Sequence, residues 1–254
     1  MMDTLSDFDF KRKKYMPIFP KANGKATAYI EGYPSEDGQP MSATGFHGVQ
    51  ITTLSDQLKR YFGSDNRVYI GIDSFIYYQE GDRRKFVAPD IYVVYGAESF
   101  PERRSFYTWA EGTTPAVVFE FLSESTAAHD RGDKIRRCLV EIGVDEYFIH
   151  QPGGAKPPEF RGWCRSPSGE IEEIQPESQG GLFSHTLNMW LRWEYQPVSE
   201  VRLLRPYLPD GTPIPTSEEL KAMAESEKQL RQQLESGLEQ LRAEMAAPRS
   251  ESSK

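Results

Sequence analysis

The sequence contains only two cysteines in 254 residues, Cys138 and Cys164, which excludes a disulfide framework and a four-cysteine zinc site. Both are expected to be reduced thiols, as in a cytoplasmic protein. No apolar run approaches the roughly 18 residues that a membrane-spanning helix needs, so no membrane partner is expected. The first 15 residues also lack the apolar segment of a secretory signal.

The chain also lacks an excess of basic over acidic residues. The chain has 30 Lys and Arg residues against 38 Asp and Glu residues, which gives a formal net charge of −8. This balance disfavours a protein that coats nucleic acid by bulk charge, but not an enzyme that touches DNA locally. A hydrophobic share of 38%, with 12% aromatic residues, excludes a fully disordered chain.

Three zones of the chain differ in composition. Residues 1–40 are rich in proline and glycine and predict an irregular N-terminal arm. Residues 41–206 have the patterns of a compact domain, and residues 207–254 those of a linker and a helical tail. In the tail, Thr216 and Glu219 form a capping-box signature, and leucines at helical spacing predict a helix of about 30 residues. A weak coiled coil and a lone solvated helix fit its thin apolar stripe equally well.

The compact zone alternates between strand-like and helix-like patterns. Helical spacing of apolar residues predicts helices over residues 46–62 and 126–142, each followed by a glycine. Runs rich in β-branched and aromatic residues predict strands at Val68–Ile72, Phe75–Tyr78, Val87–Tyr95, Ala116–Leu122, Glu146–His150, Phe160–Cys164 and Glu170–Ile174. Strands followed by a helix and more strands indicate an α/β or α+β fold with a mixed sheet.

Two carboxylates lie in apolar segments, where burying a charged group costs free energy. Asp90 follows Pro89 at the head of an apolar run, and Glu120 lies inside the continuous apolar run of a doubly covered strand. Burying an unpaired carboxylate costs several kcal/mol, so each acid needs a partner. That partner is either a basic side chain, which makes the acid structural, or a metal ion caged by both acids. Lys134, on the following helix, either reaches back to the acids or snorkels into solvent.

The order of these features is similar to that of a known family. The pattern Ala88-Pro89-Asp90, Val118 to Ser125, Lys134 and Gly143 to Tyr147, within roughly residues 33–205, resembles the Uma-type restriction endonuclease family. That family belongs to the PD-(D/E)XK nuclease superfamily. The resemblance implies a restriction-endonuclease-like core in three layers, with a central mixed sheet flanked by helices and a charged helical tail.

The resemblance also implies a metal site. Asp90 and Glu120 would bind Mg²⁺ or Mn²⁺, with the backbone carbonyl of Phe121 as a further ligand. The superfamily's usual lysine position, two residues after the glutamate, is Leu122 here. In this family the lysine stands on the following helix instead, which matches Lys134.

Several other residues are weaker candidates. Asp73 stands where related sequences often have an acid, and it is either a further metal ligand or a turn former. Arg131, Arg136 and Arg137 flank Lys134 and either contact substrate phosphates or form a charged helix surface. His129 and His150 have no second ligand at a recognisable spacing and are interpreted as ordinary residues. Cys138 and the segment Ile149–Pro152 depart from the family pattern at positions that look structural.

These observations predict a metal-dependent endonuclease that hydrolyses DNA phosphodiester bonds. A catalytically inactive nuclease-fold module for DNA binding or assembly is the alternative. Hydrolysis of a non-nucleic-acid phosphoester would use the same acids. The expected partners are DNA and a second copy of the chain, joined through residues 216–246.

Overall fold

A computed structural model describes residues 19, 22–27, 30–34, 45–122, 131–151, 158–166, 168–178, 180–196 and 201–246. Most of the predicted N-terminal arm, His129 and the start of the predicted second helix lie outside the described residues. The chain forms two compact units, Met1–Ile214 and Pro215–Lys254. Each unit is described by itself.

The first unit contains three helical segments and twelve strands among the described residues. The helices are α1 (Gly45–Tyr61), α2 (Thr108–Glu111) and α3 (Arg131–Arg136), which continues as a π-helix (Arg137–Ile142). The strands are β1 (Val68–Ile72), β2 (Phe75–Tyr77), β3 (Phe86–Val87), β4 (Ile91–Tyr95), β5 (Ser105–Tyr107), β6 (Val117–Phe121), β7 (Glu146–Gln151), β8 (Glu159–Arg165), β9 (Ile171–Glu173), β10 (Leu182–Ser184), β11 (Met189–Gln196) and β12 (Val201–Tyr207).

A six-stranded mixed sheet forms the centre, in the order β1-β4-β6-β7-β8-β9. All neighbouring pairs are antiparallel except β6 and β7, which are parallel and are joined through the helix α3 and its π-helical extension. A parallel pair needs such a crossover, because the chain must return to the same end of the sheet. The predicted mixed α/β fold is confirmed.

Both faces of the central sheet are covered, so side chains alternate between two cores along β6. Val117 and Phe119 pack in a core with Leu54 and Leu58 of α1 and with the sheet β10-β11-β12. Val118 packs on the other face, in a core formed with α3, its π-helical extension and the sheet β3-β2-β5. Covering on both faces explains why β6 has a continuous apolar sequence.

One predicted strand is two separate strands. The run Val87–Tyr95 was expected to be continuous, but β3 ends at Val87 and β4 begins at Ile91. Pro89 has no N–H to donate to a ladder, and β3 pairs with β2 in the small sheet while β4 pairs within the central sheet. The break places Asp90 between two sheets.

The second unit is the helix α4 (Ser217–Ala246), 30 residues long, as the tail pattern predicted. The capping box is confirmed: the Thr216 N–H donates to Glu219 Oε2 at 2.8 Å, and the Glu219 N–H donates to Thr216 Oγ1 at 3.2 Å. The apolar stripe of α4 is exposed, with Leu234 at 60% and Leu241 at 57%. Within the described part of the chain, no helix is long and apolar enough to cross a membrane.

Candidate metal centre

Asp90 lies in the short link between β3 and β4, at one end of the central sheet. Its Oδ2 accepts a hydrogen bond from the backbone N–H of Phe121 at 2.6 Å. Its own backbone carbonyl accepts from the N–H of Asp73 at 3.0 Å. Because Phe121 directly follows Glu120 in β6, the bond to its N–H fixes the first acid beside the strand that carries the second.

Glu120 and Lys134 are in direct contact. The Lys134 ammonium donates a hydrogen bond to Glu120 Oε1 and a second one, at 2.6 Å, to the backbone carbonyl of Ala88. The lysine therefore bridges β6 and the link that holds Asp90, although it lies 14 residues from Glu120 and 46 residues from Ala88 in the sequence. Glu120 Oε2 is buried and has no hydrogen-bond partner among the described residues.

The two acids and the lysine perturb one another's ionisation. Burial raises the pKa of Glu120, and the nearby Asp90 charge raises it further, while Lys134 lowers it. Burial tends to lower the pKa of Lys134, but the contact with Glu120 outweighs it and the net shift is upward. The ammonium thus stays charged and stabilises an otherwise costly buried carboxylate.

His47 is a member of this centre that the sequence did not reveal. It lies in the first turn of α1, and its Nε2 is 3.3 Å from Asp90 Oδ1. The hydrogen bond with Asp90 raises the pKa of His47, burial opposes the rise, and Glu120 and the Phe121 backbone reinforce it. No spacing in the sequence connects residues 47 and 90, because only the packing of α1 on the sheet brings them together.

The weaker candidates lie around the centre. Asp73 is exposed in the turn between β1 and β2, with the left-handed φ of 42° that is typical of a turn former. A ligand role for it stays a prediction. Arg131 is the first residue of α3, and Arg137 lies on the helix surface with its Nη2 4.0 Å from Asp133 Oδ2. No described contact joins Arg137 to Glu120 or Asp90.

The donor set fits a hard divalent cation. Mg²⁺ is usually held by one or two carboxylates together with water and substrate phosphate oxygens. Each carboxylate oxygen has two lone pairs, so the oxygens that already accept a hydrogen bond retain one, and Glu120 Oε2 is uncommitted among the described residues. No described cluster of three or more His, Cys, Asp or Glu side chains has the geometry of a complete metal cage.

Comparison with known protein families places most of the first unit in one family. A family model described as "Putative restriction endonuclease", Uma2, matches residues 15–194. The chain belongs to the Uma2 family. The matched range contains Asp90, Glu120, Lys134 and His47, so the whole centre lies inside the family domain. The helix α4 lies outside it.

Two further comparisons concern solved structures and curated proteins. A solved structure that it resembles is that of a "putative nuclease belonging to DUF820" from Anabaena variabilis ATCC 29413, with 18% identity, 59% of this chain and 78% of that chain covered, and a TM-score of 0.40. No curated protein matches the chain.

Proposed function

We propose that this protein is a divalent-metal-dependent endonuclease that hydrolyses DNA phosphodiester bonds. The observation that carries the proposal is the pair of acids at one end of the sheet, with Lys134 in contact with Glu120 and with Glu120 Oε2 left without a hydrogen-bond donor among the described residues. Membership of a family described as restriction endonucleases supports DNA as the substrate.

Each residue of the centre has a distinct role in this proposal. Asp90 and Glu120, with the Phe121 carbonyl, would hold Mg²⁺ or Mn²⁺. The metal would supply Lewis-acid chemistry there, polarising a phosphate and lowering the pKa of water. Lys134 has three N–H donors and uses two on Glu120 and Ala88, so the third can donate to a phosphate oxygen or to the water. A fixed ammonium beside the reacting phosphate stabilises the negative charge that develops there.

The test is metal-dependent nicking of supercoiled plasmid. We expect Glu120→Gln and Lys134→Met each to reduce the nicking rate by roughly 10²-fold or more, the usual cost of removing one electrostatic contact to a transition state. Glu172→Gln and Lys59→Met are matched controls, because they make the same chemical changes at exposed positions on β9 and α1. Undiminished nicking by both site variants would contradict the assignment of the centre.

The competing function is a nuclease-like module that binds DNA or assembles without cutting. The specific observation in its favour is Leu122 at the superfamily's usual lysine position, which leaves the lysine to be supplied from a helix. Calorimetric titration of the folded protein with Mn²⁺ separates the two functions. No binding below millimolar concentration favours the non-catalytic module, and metal binding without nicking of plasmid points to another phosphoester substrate.

We also propose that α4 joins two copies of the chain. Seven of its apolar side chains are exposed, namely Leu220, Met223, Leu230, Leu234, Leu238, Leu241 and Met245. Steps of three and four residues place the leucines from 230 onward on one face, the spacing of a two-stranded coiled coil. A 30-residue helix with such a face is stabilised by covering it.

A further inference from the structure

We propose that His47 is a positioning residue that orients the Asp90 carboxylate for metal binding; this inference rests on the proposed function. His47 lies on α1, whereas Asp90 lies in the link between β3 and β4, Glu120 on β6 and Lys134 on α3. It contacts one of the two acids directly, with its Nε2 3.3 Å from Asp90 Oδ1. The residues named above for the resemblance to the family do not include it.

The backbone around Asp90 leaves the orientation of its carboxylate open. Asp90 precedes β4 and follows Pro89, so no ladder pairing of its own holds it, and its described backbone bond comes from Asp73. The Phe121 N–H fixes Oδ2. One hydrogen bond leaves the carboxyl group free to rotate, and a second donor on the other oxygen, His47 Nε2, fixes the plane.

The helix that carries His47 is itself held rigidly. Three residues after His47, the buried Gln50 side chain donates to the Leu204 carbonyl at 3.0 Å and accepts from the Leu204 N–H at 2.6 Å. Two turns further on, Gln57 Nε2 donates to the Ile214 carbonyl. His47 also packs edge-on against the Phe121 ring, with centroids 6.5 Å apart. The imidazole is thus placed by the core and not by a loop.

A positioning role suits the chemistry better than direct ligation. Mg²⁺ takes oxygen ligands, whereas imidazole suits softer transition metals. The described His, Cys, Asp and Glu side chains form no cluster of three with metal-site geometry, so His47 does not complete a cage with the two acids. Residues that hydrogen-bond to metal ligands commonly control affinity, and their loss weakens it by about 10–100-fold.

The test compares metal binding by full-length variants in calorimetric titrations with Mg²⁺ and Mn²⁺. His47→Phe keeps an aromatic ring against Phe121 but removes the donor, whereas His47→Gln restores an N–H at nearly the same place. We expect His47→Phe to weaken both metals by the same factor, about 10–100-fold, and His47→Gln to recover most of that loss. His185→Phe is the control, because His185 is exposed in the turn beside Glu146, at the other end of β7.

Each outcome has a defined meaning. Wild-type affinity in His47→Phe would overturn the positioning role, and so would a loss in His47→Gln as large as that in His47→Phe. A much larger loss for Mn²⁺ than for Mg²⁺ would also overturn it, because direct nitrogen ligation favours Mn²⁺. If the wild-type protein binds neither metal, the proposed function itself fails. Thermal unfolding of each variant checks that the fold is kept, and His47→Gln remains informative if His47→Phe does not fold.

Discussion

His150 is buried in an aromatic cluster at the end of β7, with 1% of its surface exposed. The rings of Phe121, Phe160 and Trp193 lie within 6.1 Å of it, measured between centroids. Neither of its ring nitrogens has a hydrogen-bond partner among the described residues. Burial lowers the pKa of His150 to about 3, against an opposing effect of the Arg202 backbone. The folded protein therefore keeps this imidazole neutral.

This histidine predicts a loss of stability in mild acid. Below pH 6.5 the unfolded chain binds a proton at His150 that the folded chain does not bind, so stability falls from there down to about pH 3. At pH 5 the loss is about 2 kcal/mol. We expect His150→Phe to gain about that much stability relative to the wild type between pH 7 and pH 5, in urea unfolding at both pH values. If the free energies of unfolding of the two proteins differ by the same amount at pH 7 and pH 5, His150 is not a buried neutral histidine. The pH dependence that comes from carboxyl groups is common to both proteins and cancels in this comparison.

Among the residues of the candidate centre, the two acids were predictable from the sequence, but His47 was not. Asp90 and Glu120 are conspicuous because charge is rare in apolar runs, and that signal is local in sequence. Lys134 needed the family pattern, since a lysine on a helix is ordinarily a surface residue. His47 depends on how α1 packs against the sheet, and a single sequence contains no record of that packing.

Among the elements, α1 and β12 are joined by one side chain. The Gln50 amide makes both hydrogen bonds of the Leu204 backbone that point away from β11, and all of these groups are buried. Gln50→Leu keeps a similar volume but leaves a buried N–H and a buried carbonyl unsatisfied. We expect it to lower the free energy of unfolding by about 2–4 kcal/mol.

The measurement for Gln50→Leu is the urea unfolding midpoint at constant slope. Thr52→Ala is the control, because Thr52 is exposed on the same helix. An effect of Gln50→Leu no larger than that of the control would show that water replaces the amide at this edge.

Elements were predictable where their pattern was strong and local. The strands β1, β6 and β7 and the helices α1 and α4 match the predicted segments to within a residue or two. The strands β5, β10, β11 and β12 were not predicted. In β11, Trp190, Arg192 and Trp193 are only half-buried, so the strand lacks the apolar continuity of β6. Its position depends on pairing with β12 across seven residue pairs, which are tertiary contacts.

For the assembled molecule, the exposed apolar stripe of α4 predicts an oligomer that dissociates when charged side chains are introduced into the stripe. We expect the full-length double variant Leu234→Glu, Leu241→Glu to have a smaller mass than the wild type in light scattering, because buried carboxylates would destabilise a helix–helix seam. Gln233→Glu with Gln240→Glu adds the same charge at exposed positions outside the stripe and should leave the mass unchanged. An equal mass for all three proteins would mean that α4 does not join the copies.

For the proposed DNA substrate, the net charge of −8 leads us to expect that binding depends on the metal. Without a metal, the charge of Asp90 repels the phosphate that the centre must approach, and Glu120 adds to this repulsion when it is ionised. We therefore expect a labelled duplex to bind at least about 10-fold more tightly in Mg²⁺ than in EDTA. The two buffers are matched in ionic strength, because salt alone changes the affinity for DNA. Fluorescence anisotropy measures this with Lys134→Met, which keeps both acids while cleavage is slowed. The double variant Asp90→Asn, Glu120→Gln lacks both the repulsion and the metal site, so its affinity for the duplex should be the same in Mg²⁺ and in EDTA. If Lys134→Met also binds equally in both, the DNA is held somewhere other than at the paired acids.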